Sequence, residues 1–323
     1  MTHDALTDAA AEKARATTDE LVGALSQVVL GQSEAINNLL VGLLADGHVL
    51  LEGVPGVAKT LLARSLAVTL GLRFTRVQFT PDLMPADLLG TRVWEAERRA
   101  WELHKGPAFT DVLLADEVNR TPPKTQAALL EAMEERQITL DGERHDLGDA
   151  FFVVATQNPL EFEGTYPLPE AQTDRFLLKV RMSYPDEEAE LALLSHGSQR
   201  AGDRVAQLGP LLSREGLVML RRQARAVRVD DTVRRYVLAL LRATRDSEVL
   251  KLGASPRAGL MLLAAAQAHA LLQGRAFVLP DDVKEVARPV LRHRLALSTE
   301  AELDGLSADQ VLDGLLERVA VMR

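Results

Sequence analysis

Between His48 and Val180 one pattern repeats along the chain: a short, mostly apolar run, a turn, then a longer stretch whose apolar side chains recur at helical spacing. The runs His48 to Leu51, Phe74 to Phe79, Val112 to Ala115, Phe151 to Ala155 and Leu177 to Val180 predict five strands. Thr121 to Arg136 reads as a helix, with Thr121 as its cap, prolines in the first turn, and Ala127, Leu130, Ala132 and Met133 in an amphipathic pattern. Strands alternating with helices predict an α/β fold built on a doubly wound, parallel five-stranded sheet. Two stretches break the rhythm. One, at about 137–150, reads as a hairpin whose two-residue turn is Asp141-Gly142. The other, at about 80–111, is a longer excursion between the second and third strands.

After Arg181 the texture changes. Ser183-Tyr184-Pro185-Asp186 reads as a linker, and beyond it only helices are expected: Leu217 to Ala226, Thr232 to Thr244, Pro256 to Leu272, and Asp281 to Leu297 with a break or kink at Pro289. The pattern therefore divides the chain into residues 1–185, carrying the sheet, and 186–323, a smaller all-helical domain. No long repeat or low-complexity block is present in the sequence.

Composition narrows the picture. A chain of 323 residues suits two domains, and with 47% apolar and only 4% aromatic residues its core must rest on Leu, Val and Ala. The formal net charge of -9 argues against a broad surface for DNA or anionic lipid, so nucleic acid is not an expected partner. Cysteine is absent, which excludes disulfides, thiolate metal sites and cysteine nucleophiles. The longest apolar segment, Gly259 to Leu272, is too short to span a bilayer and carries Gln267 and His269, so no membrane insertion is expected. Met1 to Asp19 lacks the apolar centre of a signal peptide, and a cytoplasmic location is expected.

The chemistry is concentrated at strand ends. Gly53-Val54-Pro55-Gly56-Val57-Ala58-Lys59-Thr60 lies between the apolar Val49-Leu50-Leu51 and the helix-like Leu61 to Ala67. A loop of this kind turns successive backbone N–H groups toward one point, with the positive end of a helix behind them, as a nucleoside triphosphate requires. Lys59 would lie against the β- and γ-phosphates, and Thr60 would place its hydroxyl on Mg²⁺. The strict pattern has glycine where this chain has Ala58, and alanine is expected to suit a position already entering the helix. About fifty residues on, Val112-Leu113-Leu114-Ala115 ends in Asp116 and Glu117, suited to hold the Mg²⁺ shell and to polarise an attacking water.

Three further candidates follow. Asn158, at the exit of the fourth run, could bond the γ-phosphate and the water, or could simply open an Asn-Pro turn. Arg175 could reach a neighbour's γ-phosphate if subunits form a ring, or pair locally with Asp174. Arg257, at a helix start, needs an anion, which a phosphate or a nearby carboxylate would supply. The basic stretch Arg221, Arg222, Arg225, Arg228, Arg234 and Arg235 is expected to form a solvated or intersubunit helix face. Trp94 and Trp101 are expected to anchor the packing of the excursion. The histidines show no metal-ligand spacing, so no metal beyond Mg²⁺ is expected.

Taken together, Gly53 to Thr60, Asp116-Glu117 with Asn119-Arg120, Ala155-Thr156-Gln157-Asn158-Pro159, Pro169-Glu170-Ala171-Gln172 leading into Asp174-Arg175-Phe176, and Ser255-Pro256-Arg257 resemble the MoxR family of AAA+ ATPases. The resemblance runs from about Val29-Leu30-Gly31-Gln32 to about Leu295. It implies ATP and Mg²⁺ as cofactors, phosphate contacts from Gly53 through Leu61, and Gly31 and Gln32 beside the adenine. It also implies a hexameric ring with hydrolysis at subunit interfaces, and a helical lid formed by the second domain. The two interruptions match the helix-2 insertion and the hairpin before the sensor strand. Thr60 and Asp116 become the metal residues, Glu117 the base, Asn158 the first sensor, Arg175 the arginine finger and Arg257 a second sensor that can serve the neighbouring site. Gln78 is placed to restrain Glu117 until substrate arrives. The implied role is chaperone-like remodelling or maturation of client protein complexes, with a possible von Willebrand A domain partner. Two other readings stay open: a nucleotide-gated assembly scaffold with little turnover, and a DNA-directed AAA+ ATPase.

Overall fold

Every apolar run becomes a strand of one parallel sheet. In chain order the sheet and its insertions are β1 (Val49–Gly53), β2 (Phe74–Gln78), β3 (Gly90–Glu95), β4 (Ala100–Lys105), β5 (Val112–Asp116), β6 (Gln137–Leu140), β7 (Glu143–Asp146), β8 (Phe152–Gln157) and β9 (Leu178–Met182). The central sheet has the order β2-β5-β8-β1-β9, with all its pairs parallel. These coordinates are a computed structural model that describes residues 6–159, 165–195 and 201–321.

The central strands β5 and β8 are almost wholly apolar because both their faces are buried. Val49, Leu51, Val112, Leu114, Phe152 and Val154 point into one core. Their neighbours Leu50, Leu113, Ala115, Phe151, Val153 and Ala155 point into the other. Before β1 come α1 (Asp8–Val28) and α2 (Ser33–Leu44), and α3 (Lys59–Thr69) follows it. The excursion holds α4 (Pro85–Leu89) and the β3–β4 hairpin, in which Trp94 and Trp101 are paired across the strands with ring centroids 5.7 Å apart. They remain 49% and 58% exposed, so they brace the hairpin against each other rather than against the core. The second insertion is the β6–β7 hairpin, closed by Asp141 (φ 50°) and Gly142 (φ 84°), the two left-handed residues that a tight two-residue turn demands. Between the insertions lies α5 (Pro123–Glu135), and α6 (Glu170–Thr173) precedes β9. Thr121 does not cap α5. Its hydroxyl instead donates to the Thr80 carbonyl at 2.8 Å, tying the excursion to the core.

The helical region comprises α7 (Glu187–Ser195), α8 (Ala201–Ala206), α9 (Arg214–Ala226), α10 (Asp231–Arg245), α11 (Pro256–Leu272), α12 (Pro280–Leu291), α13 (Thr299–Leu303) and α14 (Ala308–Arg318). It also contains one strand pair that the apolar pattern does not predict, β10 (Leu250–Leu252) with β11 (Ala296–Leu297). The expected helix to Leu297 is correspondingly shorter. Pro289 removes a donor from the last turn, α12 stops at Leu291, and the chain returns to pair with β10.

Arg221 departs from the expected solvated or intersubunit face. It is buried, donates to the Leu43 carbonyl at 2.9 Å, and lies 2.8 Å from Asp46 in the turn before β1. Burial lowers its pKa to about 10, which still leaves it charged at neutral pH. Arg214 grips Asp111 at 2.6 Å, and Arg294 grips Asp174 at 2.7 Å. The helical region is thus fastened to three carboxylates that precede β1, β5 and β9.

Candidate active site

Because β8 lies between β1 and β5, and the chain leaves β1 to reach the far edge strand β2, a crevice opens at the C-terminal ends of the central strands. A cavity of about 460 Å³ occupies it, within the ~300–1,000 Å³ usual for small-molecule sites. Pro55, Gly56, Val57, Ala58, Lys59, Thr60 and Leu61 form one wall, and Asp116, Glu117 and Asn158 close it. Val28, Val29, Leu30 and Gln32 form another wall, with Pro185, Leu193 and Arg204 arriving from the lid side.

Helix α3 starts at Lys59, and its first internal bond runs from the Leu62 N–H to the Ala58 carbonyl at 2.9 Å. The first-turn residues Thr60 and Leu61, whose N–H groups precede the first intrahelical bond, line the crevice, a ready anion site. The Lys59 ammonium donates to the carbonyls of Gly53 and Gln157, which holds it across the mouth of the loop. Ala58 is not in the helix as expected. It caps the helix in the left-handed region (φ 67°, ψ 22°), where a Cβ crowds the following carbonyl at roughly 1–2 kcal/mol. That conformation is the reason the strict pattern has glycine here.

The acidic pair is held by a continuous network. Asp116 Oδ1 accepts from the Thr156 hydroxyl at 2.6 Å, while Oδ2 accepts from Arg76 Nε at 2.9 Å and lies 3.5 Å from the Thr60 hydroxyl. Glu117 is left-handed (φ 58°, ψ 51°), and its N–H donates to Thr156 Oγ1 at 2.9 Å. Its Oε2 accepts from Gln78 Nε2 at 2.6 Å and from Arg120 at 2.9 Å. Register explains the contact, since Gln78 pairs directly with Asp116 across β2 and β5. Asn158 is buried at the end of β8 beside them.

Not every candidate reaches the cavity. Gln32 does, fixed by a 2.8 Å bond to the Ser183 carbonyl, but Gly31 does not line it. At Gly31 (φ 70°) a Cβ would stand 2.7 Å from both Pro185 and Ala189, so this glycine lets the lid segment approach the chain before α2. Gly53 and Val54 lie behind the loop rather than in the lining, and Gly53 contributes its carbonyl to Lys59. Arg175 and Arg257 lie at the opposite rim, at the N-terminal ends of the strands, where they line a separate hollow with His48 and Met133. Both meet Glu134, Arg175 at 3.2 Å and Arg257 at 3.3 Å. Arg175 does not take Asp174, which is held by Arg294 and, at 3.7 Å, by Arg257. The helix-start anion expected for Arg257 is thus a carboxylate within one subunit.

Comparison with known proteins agrees with this fold. The profile of the ATPase family associated with various cellular activities (AAA) matches residues 48–178, and that of the AAA lid domain matches residues 242–315. A crystal structure from Cytophaga hutchinsonii ATCC 33406 superposes with a TM-score of 0.89 over 97% of both chains at 41% identity. The uncharacterized protein YeaC of Bacillus subtilis (strain 168) is 46% identical over 92% of each chain. Chaperone MoxR1 of Mycobacterium tuberculosis (strain ATCC 25618 / H37Rv) is 43% identical over 94% of this chain and 82% of its own. The chain belongs to the MoxR family of AAA+ ATPases.

Within this MoxR-family chain, motif reading misses Arg76, Thr156, Glu134 and Arg204. The first two sit on strands already assigned, and their alternation toward Asp116 is the signal that could have found them. Glu134 and Arg204 lie in helices with ordinary surface patterns and carry no such signal.

Proposed function

We propose that this MoxR-family ATPase hydrolyses Mg²⁺-bound ATP at sites shared by neighbouring subunits of a ring, hexameric by family, and uses the resulting motion to remodel or mature client protein complexes in the cytoplasm. The observation that carries the reading is the convergence of Lys59, Thr60, Asp116, Glu117 and Asn158, from three separate strand ends, on one cavity. Residues 1–185 form the nucleotide-binding unit in this reading, and 186–323 the lid. The Thr60 hydroxyl and the Asp116 carboxylate are hard oxygen donors 3.5 Å apart, a set that fits Mg²⁺. Bound between them, the ion would neutralise charge on the β- and γ-phosphate oxygens.

Lys59 and the α3 N-terminus neutralise the remaining phosphate charge, Asn158 donates to the γ-phosphate, and Glu117 orients the attacking water. Gln78 and Arg120 hold Glu117, so its carboxylate must exchange those partners for water before it can act. Arg175 and Arg257 face a neighbour's pocket, where Glu134 gives way to a phosphate as the shared anion. The chaperone name of the Mycobacterium relative supports a protein client, to which a von Willebrand A domain partner is assigned by family alone. The net charge of -9 counts against nucleic acid.

Steady-state hydrolysis of Glu117→Gln tests the reading. Turnover should fall by at least ~10²-fold while ATP affinity stays within a few-fold of wild type. A variant that hydrolyses at the wild-type rate would remove Glu117 from its role.

A further inference from the structure

The cavity contains one cation that no motif announces. Arg204 belongs to α8, which packs against α3, the helix that Lys59 begins, and its side chain lines the cavity together with Lys59, Thr60 and Leu61. Its Nε and Nη1 are both buried and have no hydrogen-bond partner. Burying guanidinium donors without an acceptor is strongly unfavourable, so an acceptor is expected in the working state. The deeply buried guanidinium of Arg294 shows the contrast, since it holds a carboxylate and backbone carbonyls. The carboxylates of the cavity are engaged by other donors. Asp116 is taken by Arg76 and Thr156, and Glu117 by Gln78 and Arg120.

We propose that Arg204 is a nucleotide-binding residue that donates to a phosphate of the ligand in its own subunit. Arg257, the other candidate lid cation, lies at the opposite rim against Glu134, so the pocket would otherwise close without a positive charge from the lid. Arg204 fills that place. It also makes the lid a direct reader of nucleotide: with phosphate present α8 is bonded across the cavity to α3, and without it the guanidinium is stranded. This inference rests on the nucleotide reading of the cavity.

The test uses the full chain, with Arg204→Met removing the charge at similar length and Arg204→Lys keeping it. Affinities for ATP, ADP and adenosine are measured by calorimetry, and melting temperatures without nucleotide. Arg204→Met should weaken ATP and ADP by about tenfold or more, leave adenosine unchanged, and melt no lower than wild type, because it removes a stranded cation. Arg204→Lys should recover much of the lost affinity. Unchanged ATP and ADP binding by Arg204→Met would overturn the proposal, as would an equal loss for adenosine, which would point to the base. A large drop in the nucleotide-free melting temperature of both variants would overturn it in favour of packing. Wild-type protein that binds no ATP would overturn the nucleotide reading itself together with this inference.

Discussion

Ala58 illustrates how a single backbone angle reverses an expectation based on residue type. In a helix, glycine in its place would lose roughly 1 kcal/mol. In the left-handed cap that Ala58 occupies, glycine relieves about 1–2 kcal/mol of crowding while adding ~0.4–1 kcal/mol of freedom to the unfolded chain. Urea unfolding of Ala58→Gly is therefore expected to show equal or higher stability, by up to about 1 kcal/mol, with ATP affinity at least maintained. A loss of about 1 kcal/mol would mean that the position behaves as helix after all. The same distinction governs what the sequence revealed of the site. Lys59, Thr60, Asp116 and Glu117, which the fold brings to one cavity, were legible as motif residues at strand ends. Glu134 and Arg204 were not, because their roles come from which helices the fold brings together.

Among elements, the buried strands were the most legible, since a strand covered on both faces leaves an unbroken apolar run. The pair β10 and β11 left no trace, being only three and two residues long. Where elements are joined by a titratable group, the join has a measurable consequence. His48, at the start of β1, donates through Nε2 to the Met133 carbonyl of α5 and accepts at Nδ1 from the Val153 N–H of β8, both at 3.0 Å. A second ring proton would face that N–H. Burial lowers the His48 pKa to about 4, and the bond to Met133 only partly offsets it. His293, buried against the Phe176 carbonyl and beside Arg294, is lowered as well. A base whose folded pKa lies below its unfolded value of about 6.5 binds fewer protons when folded, so its contribution is complete above about pH 6.5 and is lost as pH falls toward 4. Unfolding free energies measured from pH 8 to 5 should stay level above 6.5 and then decline by as much as ~1.4 kcal/mol per pH unit for each such histidine. His48→Gln, which does not titrate, should decline less steeply; an unchanged slope would exclude His48 as a source.

At the scale of the whole molecule, the candidate residues divide between the two rims of the sheet. The phosphate loop and acidic pair sit at the C-terminal rim, Arg175 and Arg257 at the N-terminal rim, separated by the length of β1, which for five residues is about 16 Å. The lid touches both rims. Arg204 and Leu193 reach the cavity, while Arg214, Arg221 and Arg294 clamp Asp111, Asp46 and Asp174 at the far side. In the proposed ring, Arg175, which lies at the rim opposite its own cavity, would serve a neighbour's γ-phosphate, and this gives a test that needs no client. Glu117→Gln and Arg175→Ala should each abolish turnover when assayed alone. Mixed in equal amounts and allowed to exchange, they should regain roughly a quarter of the wild-type rate, because in a closed ring with random order one pocket in four pairs an intact Glu117 with a neighbour's intact Arg175. If Arg175 served its own pocket, every subunit in the mixture would lack one essential group, and the mixture would stay as inactive as its components.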